Sequence, residues 1–401
     1  MSLIDLDQAA TGAVRREVLE AMWPYLTGDY GNPSSTHSLG RSAAEGLARA
    51  RALIARSTGV RPPQVVLTGG GTEADNLAVI GLTLGAIASG RGRHVIVSAV
   101  EHEAVLAAAD CLERWHDVEV TRLPVDNAGR TDAALLRAAL RDDTALVSVQ
   151  HANNEVGTVQ PVRALGEEAH ARGTLFHVDA VQTAGWMSLD PAESPELSTG
   201  ALAQAGLSSA DAVSISAHKL GGPKGVGALI LHSRARLEPI IHGGGQEGDR
   251  RSGTENVAGA VGLAVALQLA GEEREAHPDR WSAEAQRRDA FIAAVVEAVP
   301  GAQLTGNAVE RLPAHASFVV PGLGGEPLLQ ALDDRGILAS SGSACAAGRD
   351  DPSPVLLAMG YDPDTARTAI RFTWGASTTQ ESLDAAVRTL AESAATLRGE
   401  R

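Results

Sequence analysis

The chain has 401 residues, of which 44% are hydrophobic and 21% are charged, and its formal net charge is -15. This length exceeds one ordinary domain, so we expect a large domain and a smaller one, with the composition of a soluble α/β protein rather than a disordered or fibrous one. Because the negative charge repels phosphate backbones and no Lys/Arg run is longer than a pair, we expect no direct binding to nucleic acid.

The first residues, MSLIDLDQAATG, have neither the basic nor the apolar region of a signal peptide. The longest apolar stretch, Val257 to Leu267, is too short to span a bilayer and predicts a buried helix. We therefore expect a cytoplasmic protein that does not contact a membrane.

The predicted elements alternate between strands and helices along the chain. A helical pattern over Ser42–Ser57 precedes five short apolar runs typical of strands, and another over Arg163–Arg172 precedes the fourth run. The five runs are Gln64–Thr68, His94–Ser98, Ala145–Gln150, Thr174–Val178 and Ala212–Ser216. Such alternation predicts a mainly parallel sheet between two layers of helices.

A polar cluster follows each of these runs. In chain order the clusters are GGGTEADN, EHE, HANNE, Asp179 and AHK. In open α/β sheets, ligands bind beyond the carboxyl ends of the strands. We therefore expect the five clusters, although distant in sequence, to form one site.

The pattern changes after about Asn256, where helices dominate and short strand patterns remain over Ser317–Val320 and Ala369–Thr373. This change predicts a large domain over residues 13–255 and a small domain over residues 1–12 and 256–401. Residues 191–209, rich in Ser, Ala, Glu and Gly, predict a surface insertion or a short helix between the fourth and fifth strands.

Residues 69–73, GGGTE, lie between a predicted strand and a helical stretch. Free backbone N–H groups and the positive end of a helix can hold a phosphate there. Glycines also make tight turns between a strand and a helix, and the loop lacks the lysine of a P-loop. This segment alone leaves both interpretations open.

Lysine occurs only at positions 219 and 224, although the chain has 34 basic residues. Since arginine supplies the charge elsewhere, these lysines are candidates for imine formation, which a guanidinium does not undergo. Lys219 and Asp179 follow neighbouring predicted strands. A lysine that binds an aldehyde and a carboxylate that keeps a pyridinium protonated are the groups that pyridoxal 5′-phosphate (PLP) requires. The alternative is a solvated lysine and a surface aspartate, and Lys224, in GGPKG, is expected to be such a loop charge.

His102 and His218 follow strand ends that point to the same predicted site. Each is either a core histidine with a backbone hydrogen bond or a cofactor contact, with His102 stacking on a planar ring and His218 reaching the phosphate. Arg371, in a predicted strand, binds a substrate carboxylate or pairs with a neighbouring Asp.

The two cysteines are expected to differ in role. Cys345 lies among small residues in SSGSACAAGRDD, where an accessible thiolate can reach outward. Cys111 lies on an apolar helical pattern and is expected to be a buried structural residue. Neither has a second cysteine at metal-ligand spacing, so we expect no metal site.

The chain resembles the cysteine desulfurases of the class V aminotransferase group, which are fold type I PLP-dependent enzymes, over nearly its whole length. The resemblance rests on ordered segments, namely LDQAAT, GNPSSTHSLGR, TGGGTEADN, EHEAVL, HANNEVG, HVDAVQ, SAHKLGGPKG, RRSGTEN, SSGSAC and IRFTWG. It implies a large PLP-binding domain with a mainly parallel seven-stranded sheet between helices, and a smaller α/β C-terminal domain that carries the catalytic cysteine loop. It also implies a homodimer that takes sulfur from L-cysteine onto Cys345 as a persulfide and releases L-alanine. An acceptor protein of iron–sulfur cluster assembly or tRNA thiolation would then receive the sulfur.

The resemblance further implies the roles of individual residues. Lys219 would bind the cofactor aldehyde, Asp179 would meet the pyridine nitrogen, and Gln182 would meet the ring hydroxyl. His102 would stack on the ring and act in catalysis with Lys219 and Cys345. The phosphate would be held by Gly71, Thr72, Ser216, His218 and, from the second subunit, Thr254. The substrate carboxylate would be bound by Asn154 and Arg371.

Several positions depart from the pattern that we expect of this family. Gly69 and Gly71 stand where Ser and Ala are more usual, which predicts looser cofactor binding. Gln246 replaces a common histidine, Gly248 replaces a common arginine, and the segment 191–209 is longer than usual. The latter three departures concern contacts with partners more than the chemistry.

Other enzymes on the same scaffold are the nearest alternatives: a selenocysteine lyase, a cysteine-sulfoxide lyase or an aminotransferase. Cys345 favours the desulfurase, because an aminotransferase needs no thiol and a sulfoxide lyase expels its leaving group without one. A non-catalytic scaffold for iron–sulfur or tRNA-thiolation machinery is a further alternative. The presence of Lys219, Asp179 and Cys345 together argues against it.

Overall fold

The computed structural model describes residues 3–192, 205–342 and 351–399. The β-strands are β1 (Ile4–Asp5), β2 (Val65–Thr68), β3 (His94–Ser98), β4 (Glu119–Leu123), β5 (Thr144–Ser148), β6 (Leu175–Asp179), β7 (Ala212–Ser216), β8 (Gly227–Leu231), β9 (Gln303–Leu304), β10 (His315–Val319), β11 (Ile337–Leu338) and β12 (Ala369–Thr373). The α-helices are α1 (Arg16–Thr27), α2 (Ser38–Ser57), α3 (Gly71–Asn76), α4 (Thr83–Ala88), α5 (Glu103–His116), α6 (Ala133–Ala139), α7 (Val162–Ala171), α8 (Val257–Ala276), α9 (Arg280–Ala298), α10 (Gly325–Asp333), α11 (Pro354–Ala358), α12 (Pro363–Ala366) and α13 (Gln380–Arg398). A π-helical segment, Leu77–Leu82, joins α3 to α4.

The largest sheet has seven strands in the order β2-β8-β7-β6-β5-β3-β4. The strands from β3 to β7 pair in parallel, and β8 is antiparallel to both of its neighbours. The predicted fold class, with a mainly parallel seven-stranded sheet, is therefore confirmed. All five predicted runs are strands, with ends shifted by at most two residues. The runs did not include β4, a partly exposed edge strand, or the antiparallel β8.

The main sheet is covered by helices on both faces. Strands β2, β3, β5, β7 and β8 consist only of buried residues, as is typical of a sheet between two helical layers. One apolar cluster joins the sheet to α2, α7 and α8, and another joins it to α3, α5 and the π-helical segment. The predicted buried helix after Val257 is the first half of α8.

Helix α2 begins at Ser38, four residues before the predicted start. The side chain of His37 accepts a hydrogen bond from the Gly40 amide at 3.2 Å and so caps the helix. A histidine is a less obvious cap than Ser or Asp, and the apolar pattern alone therefore placed this boundary too late.

The C-terminal part contains an antiparallel sheet, β12-β10-β9, and a parallel pair, β1-β11. Its apolar cluster is separate from those of the main sheet. In that cluster the ring of Phe291 meets the edges of Phe372 and Trp374, with centroids 5.4 and 5.5 Å apart. The short β1 places the start of the chain beside this part. The domain boundaries at residues 12 and 255 stay a prediction.

Since β2 and β7 are both antiparallel to β8, β2 runs in the direction of the parallel strands. The carboxyl ends of β2, β3, β5, β6 and β7 therefore lie at one edge of the sheet, and the polar clusters follow there. Within the described ranges, no helix is both long enough and apolar enough to cross a membrane.

Candidate active site

A cavity of about 1110 Å³ lies at the carboxyl ends of these strands. Residues from all five predicted polar clusters line it, as the position of the strand ends predicts. Of the predicted site residues, the cavity wall contains Gly71, Thr72, His102, Asn154, Asp179, Gln182, Ser216, His218, Lys219 and Arg371. Thr254 does not line it, and Cys345 lies outside the described residues.

The glycine loop closes one end of the cavity. Gly70 has φ +151°, and the helical stretch begins at Gly71. A Cβ on Gly71 would lie 2.8 Å from Cγ2 of Val181 and 3.3 Å from Cβ of Ser216. Any larger residue at this position would therefore require the side chain of Val181 to shift.

Ser216 has a buried hydroxyl oxygen with no hydrogen-bond partner among the described residues. A buried hydroxyl without a partner costs free energy, unless a ligand supplies the missing bond. Its position beside the glycine loop suits a phosphate oxygen. His218 lies at the same end, where its Nδ1 lies 3.2 Å from the hydroxyl of Thr11. Burial, with Lys219 and Lys224 nearby, lowers the pKa of His218 to about 4, so the imidazole is neutral at pH 7.

Asp179 lies at the end of β6, with its side chain buried against the cavity floor. Its Oδ1 accepts a hydrogen bond from the amide of Val181 at 2.9 Å. Burial raises the pKa of Asp179, whereas that hydrogen bond and the charges of His102 and Lys219 lower it. A carboxylate in this position gains from any further positive charge that enters the cavity.

Lys219 points its ammonium group into the same cavity. Its Nζ donates hydrogen bonds to the carbonyl oxygen of Ala9 and, at 2.9 Å, to that of Ala10. The side-chain amide of Gln182 also donates to Ala9, at 3.2 Å. The amide of Ala9 in turn donates to the hydroxyl of Thr373 on β12. The N-terminal segment therefore fixes the positions of Lys219 and Gln182 through backbone contacts that the sequence pattern does not reveal.

His102 precedes α5 and caps it. Its Nδ1 accepts a hydrogen bond from the amide of Ala104 at 3.1 Å. Because that nitrogen accepts, the ring proton of the neutral side chain is on Nε2. The two interpretations of this histidine are thus compatible, since the ring has a backbone hydrogen bond and also lines the cavity.

Arg371 is buried on β12 and contacts three other segments. Its Nη2 lies 2.6 Å from Oδ1 of Asp7, and its Nη1 donates to the carbonyl oxygens of Asn154 at 2.8 Å and Gly342 at 3.2 Å. Its Nε is buried without a partner among the described residues. Of the two predicted alternatives for Arg371, the ion pair with an Asp is therefore present, and the side chain also lines the cavity.

Three acidic residues of the cavity wall with raised pKa values were missed by the sequence analysis: Asp75, Glu101 and Glu155. Burial raises the pKa of all three, and the charge of Asp179 adds to the effect at Asp75 and Glu101. Each lies inside a polar cluster that was recognised in the sequence. Asp75 lies on α3, Glu101 lies three residues after β3, and Glu155 lies seven residues after β5. Their place in the polar segments that follow buried strands is the signal that could have identified them.

Cys111 lies on α5 and is half-buried, so the expectation of a buried cysteine is wrong. It lies beside the buried face of this helix, to which Ala108, Ala109 and Leu112 belong. It does not line the cavity. Where the structure describes the chain, no group of three or more His, Cys, Asp or Glu side chains could hold a metal ion.

The other positions that differ from the pattern expected of the family lie in the loop before α8 and in the segment 191–209. The side chain of Gln246 accepts a hydrogen bond from the amide of Gly253 at 2.9 Å, and Gly248 has φ +66°. These residues close the loop on itself. The segment 191–209 lies mostly outside the described residues, and its described end contains a short 3-10 helix over Leu207–Ser209.

Comparisons with known proteins agree on one family. The aminotransferase class-V family model matches residues 4–386. A cysteine desulfurase IscS from Dictyoglomus turgidum is 41% identical over 379 residues, which are 94% of this chain and 91% of that protein. A putative cysteine desulfurase IscS 1 from Bacillus subtilis is 40% identical over 98% of each chain. Among solved structures, a NifS-like protein has a TM-score of 0.85 and 33% identity over 97% of this chain and 98% of its own. The structure of SspA in complex with cysteine has a TM-score of 0.75 and 31% identity, over 93% of this chain and 98% of its own.

Proposed function

The chain belongs to the aminotransferase class-V family and is a PLP-dependent cysteine desulfurase. From this premise we propose that Cys345 takes the sulfur of L-cysteine as a persulfide. We further propose that it passes this sulfur to an acceptor protein. The acceptor belongs to iron–sulfur cluster assembly or to tRNA thiolation. The observation that carries the proposal is the convergence of Lys219, Asp179 and the glycine loop on one cavity that also contains Arg371.

The residues of the cavity fit PLP. The unpartnered hydroxyl of Ser216 and the close approach of the backbone at Gly71 form a cradle that suits a phosphate group. The same cavity has a buried carboxylate, Asp179, and an amine, Lys219. These groups complement the charges of a pyridinium ring and the reactivity of an aldehyde.

Each part of the cofactor has its proposed contacts. Asp179 would hold the ring nitrogen, Gln182 the ring hydroxyl, His102 the ring face and Lys219 the aldehyde carbon. The phosphate would be held by Gly71, Thr72, Ser216 and His218, with Thr254 of the partner subunit. When bound, PLP draws electrons from the α-carbon of the substrate and so makes the α-proton acidic and the bond to sulfur labile.

The chain's own side chains then bind the substrate and move its protons. Arg371 and Asn154 would hold the substrate carboxylate, for which the buried guanidinium supplies the charge. Lys219 would take the α-proton, since its Nζ is held towards the cavity by the carbonyl oxygens of Ala9 and Ala10. His102, with its proton on Nε2, is placed to assist proton transfer at the ring.

Cys345 would act as the nucleophile towards the substrate sulfur. An S–S bond forms between the two sulfur atoms as the C–S bond of the substrate breaks. The β-carbon would then gain a proton in place of the lost sulfur, the α-carbon would regain its proton, and L-alanine would leave. The sulfur on Cys345 is in the persulfide state, ready for attack by a thiol of the acceptor.

We also propose that the protein is a homodimer. The side chains of Leu19, Trp23 and Leu26 lie on one face of α1 and are 52, 65 and 58% exposed, and Tyr30 beyond the helix is 66% exposed. Large exposed apolar residues in one patch are typical of interfaces, where Trp and Tyr are enriched. Thr254 does not line its own cavity, which fits a role in the site of a second copy. The cytoplasmic location stays a prediction.

The experiment that tests the function compares alanine and sulfide formation from L-cysteine, with a thiol reductant, in the wild type, Cys345→Ala and Lys219→Ala. The absorbance of bound PLP is recorded for each protein. We expect both variants to lose activity, with the absorbance band changed only in Lys219→Ala. Undiminished turnover in Cys345→Ala would instead identify a lyase or an aminotransferase, and the latter would also convert an added keto acid to an amino acid.

A further inference from the structure

Glu73 lies on the first turn of α3, directly after the proposed phosphate contact Thr72, and the proposed roles leave it without a function. It lines the cavity, and its side chain is 18% exposed. Its Oε2 accepts a hydrogen bond from the backbone amide of Gly69 at 2.7 Å. Since Gly69 is the first residue of the glycine loop (residues 69–71), the carboxylate connects the start of this loop with the helix that follows it.

The same carboxylate forms an ion pair with Arg251, in the loop before α8. Nε of Arg251 lies 2.7 Å from Oε1 of Glu73, and Nη2 lies 3.2 Å from Oε2. A two-point contact between a guanidinium and a carboxylate fixes the orientation of both groups as well as their distance. Glu73 therefore keeps its position at the Gly69 amide as long as Arg251 holds it.

The loop that carries Arg251 is itself attached to the main sheet through Glu247, four residues earlier. Oε2 of Glu247 accepts hydrogen bonds from the amide of Leu67 at 2.9 Å and from Nη1 of Arg51 at 2.7 Å, and its Oε1 accepts from Nη2 of Arg51 at 2.6 Å. The side chain of Glu247 is 2% exposed. Leu67 belongs to β2, the strand that leads into the glycine loop. Arg251 thus reaches Glu73 from a segment that is fixed on the same strand.

The ion pair also determines the charge at this end of the cavity. Thr72 precedes Glu73 in the sequence, and both residues line the cavity together with Ser216. An unpaired carboxylate beside these groups would repel a phosphate, and the repulsion is stronger in partly buried surroundings than in water. Because Arg251 neutralises the carboxylate, Glu73 can hold the glycine loop without opposing the binding of an anion.

We propose that Glu73 is a positioning residue that, paired with Arg251, fixes the glycine loop in the shape that receives the phosphate of PLP. The inference rests on the proposed function, in which the glycine loop and Ser216 hold this phosphate. Glu73 acts through the amide of Gly69 and not through a contact with the cofactor. A loop that already has its binding shape loses less conformational freedom when the ligand binds, and the affinity is higher for this reason.

The test compares PLP with pyridoxal, an aldehyde that differs from PLP only in lacking the phosphate. The full-length apoenzyme is titrated with each aldehyde, and the change in absorbance on binding gives the Kd. We expect Glu73→Ala to raise the Kd for PLP by about tenfold, the effect of losing one hydrogen bond to a charged group. The Kd for pyridoxal should stay within about twofold of the wild-type value, because pyridoxal has no group for the glycine loop to hold.

Arg251→Met provides a matched variant on the other side of the ion pair. It should weaken PLP binding at least as much as Glu73→Ala, since it leaves an unpaired carboxylate near the phosphate. The double variant Glu73→Ala/Arg251→Met should bind PLP no more weakly than Arg251→Met, because the two residues act as one unit. Glu73→Gln keeps an oxygen that can accept from the Gly69 amide, and its Kd for PLP should fall between those of the wild type and Glu73→Ala.

Glu103→Ala is the control for the loss of a negative charge. Glu103 also lines the cavity and lies on the first turn of a helix, α5, and its replacement should change the Kd for PLP by less than about twofold. Melting temperatures of the apoenzymes identify variants that fail to fold. If Glu73→Ala is one of them, Glu73→Gln and Arg251→Met still test the ion pair.

Equal weakening of PLP and pyridoxal binding by Glu73→Ala would overturn the proposal and give Glu73 a general role in the shape of the cavity. Unchanged PLP binding in Glu73→Ala and Arg251→Met would also overturn it. Ser216→Ala separates these results from a failure of the proposed function. It should weaken the binding of PLP but not of pyridoxal, and if it leaves PLP binding unchanged, the phosphate does not lie at this end of the cavity and both proposals are wrong.

Discussion

Nη2 of Arg371 lies 2.6 Å from Oδ1 of Asp7, and this ion pair joins the N-terminal segment to β12 beneath the cavity. The guanidinium is almost fully buried, with its side chain 2% exposed. Removing one partner of an ion pair leaves the other charge buried without compensation, which destabilises the fold by more than the pair itself contributes. Asp7 therefore contributes to stability as well as to the position of Arg371.

We expect Asp7→Asn to lower the free energy of unfolding by about 2 kcal/mol, the usual effect of weakening a buried hydrogen bond to a charged group. Urea denaturation followed by circular dichroism measures it. Glu20→Gln is the control, since Glu20 pairs with Arg16 where both side chains are largely exposed, and such pairs contribute less than about 1 kcal/mol. Equal effects of the two substitutions would contradict the importance of the buried Arg371 side chain in the Asp7 pair.

Gly71→Ala should weaken PLP binding, although alanine is the more usual residue of the family at this position. The added Cβ would lie 2.8 Å from Cγ2 of Val181, and overpacking of this kind costs about 1–3 kcal/mol. Val181→Ala in the same chain removes the contact and should restore binding. Equilibrium titration of the apoenzyme with PLP gives the affinity of each variant, and tighter binding by Gly71→Ala alone would show that the backbone moves freely.

The positions of the five polar clusters could be predicted from the sequence because buried β-branched runs mark strands, and parallel strands end at one edge of a sheet. The contacts of Asp7 and Glu155 could not be predicted from the sequence. Their partners, Arg371 and Ser353, lie in the C-terminal part of the chain. No local pattern records which remote side chain a carboxylate meets, so these residues appear in the sequence only as ordinary charges beside a motif.

Glu101→Gln should change how stability depends on pH. Burial raises the pKa of Glu101 well above its usual value, with Asp179 adding to the effect. The pKa of Glu101 in the unfolded state is about 4.3. Between this pH and the raised pKa of the folded state, the folded protein binds more protons than the unfolded protein, and its stability therefore falls as the pH rises. Glutamine has no proton to lose. As the pH rises from about 4 to 8, the unfolding free energy of the variant should therefore increase relative to that of the wild type. A constant difference over this range would mean that the pKa of Glu101 is not raised.

The contribution of His151 to the pH dependence of stability should have the opposite sign to that of Glu101. His151 is fully buried and donates from Nε2 to the carbonyl oxygen of Ala205, and burial lowers its pKa to about 4. The unfolded state thus binds the proton first as the pH falls below about 6.5. The stability that neutral His151 contributes is complete above that value and is lost as the pH falls towards 4. The loss amounts to about 3 kcal/mol at 1.36 kcal/mol per unit. The unfolding free energy of His151→Gln, measured over the same range, should fall less steeply than that of the wild type, and parallel curves would contradict the shifted pKa.

Mixed dimers can decide whether Thr254 serves the site of the partner subunit. Lys219→Ala should be inactive, and Thr254→Ala should bind PLP more weakly. A dimer with one chain of each kind would contain one site with Lys219 from one chain and Thr254 from the other, and a second site with both defects. Co-expression with two affinity tags isolates this dimer, and at limiting PLP we expect about half of the wild-type alanine formation per dimer, as two-fold symmetry requires. If Thr254 acted in its own cavity, the site with Lys219 would retain the Thr254→Ala defect, and activity would not exceed half that of the Thr254→Ala homodimer.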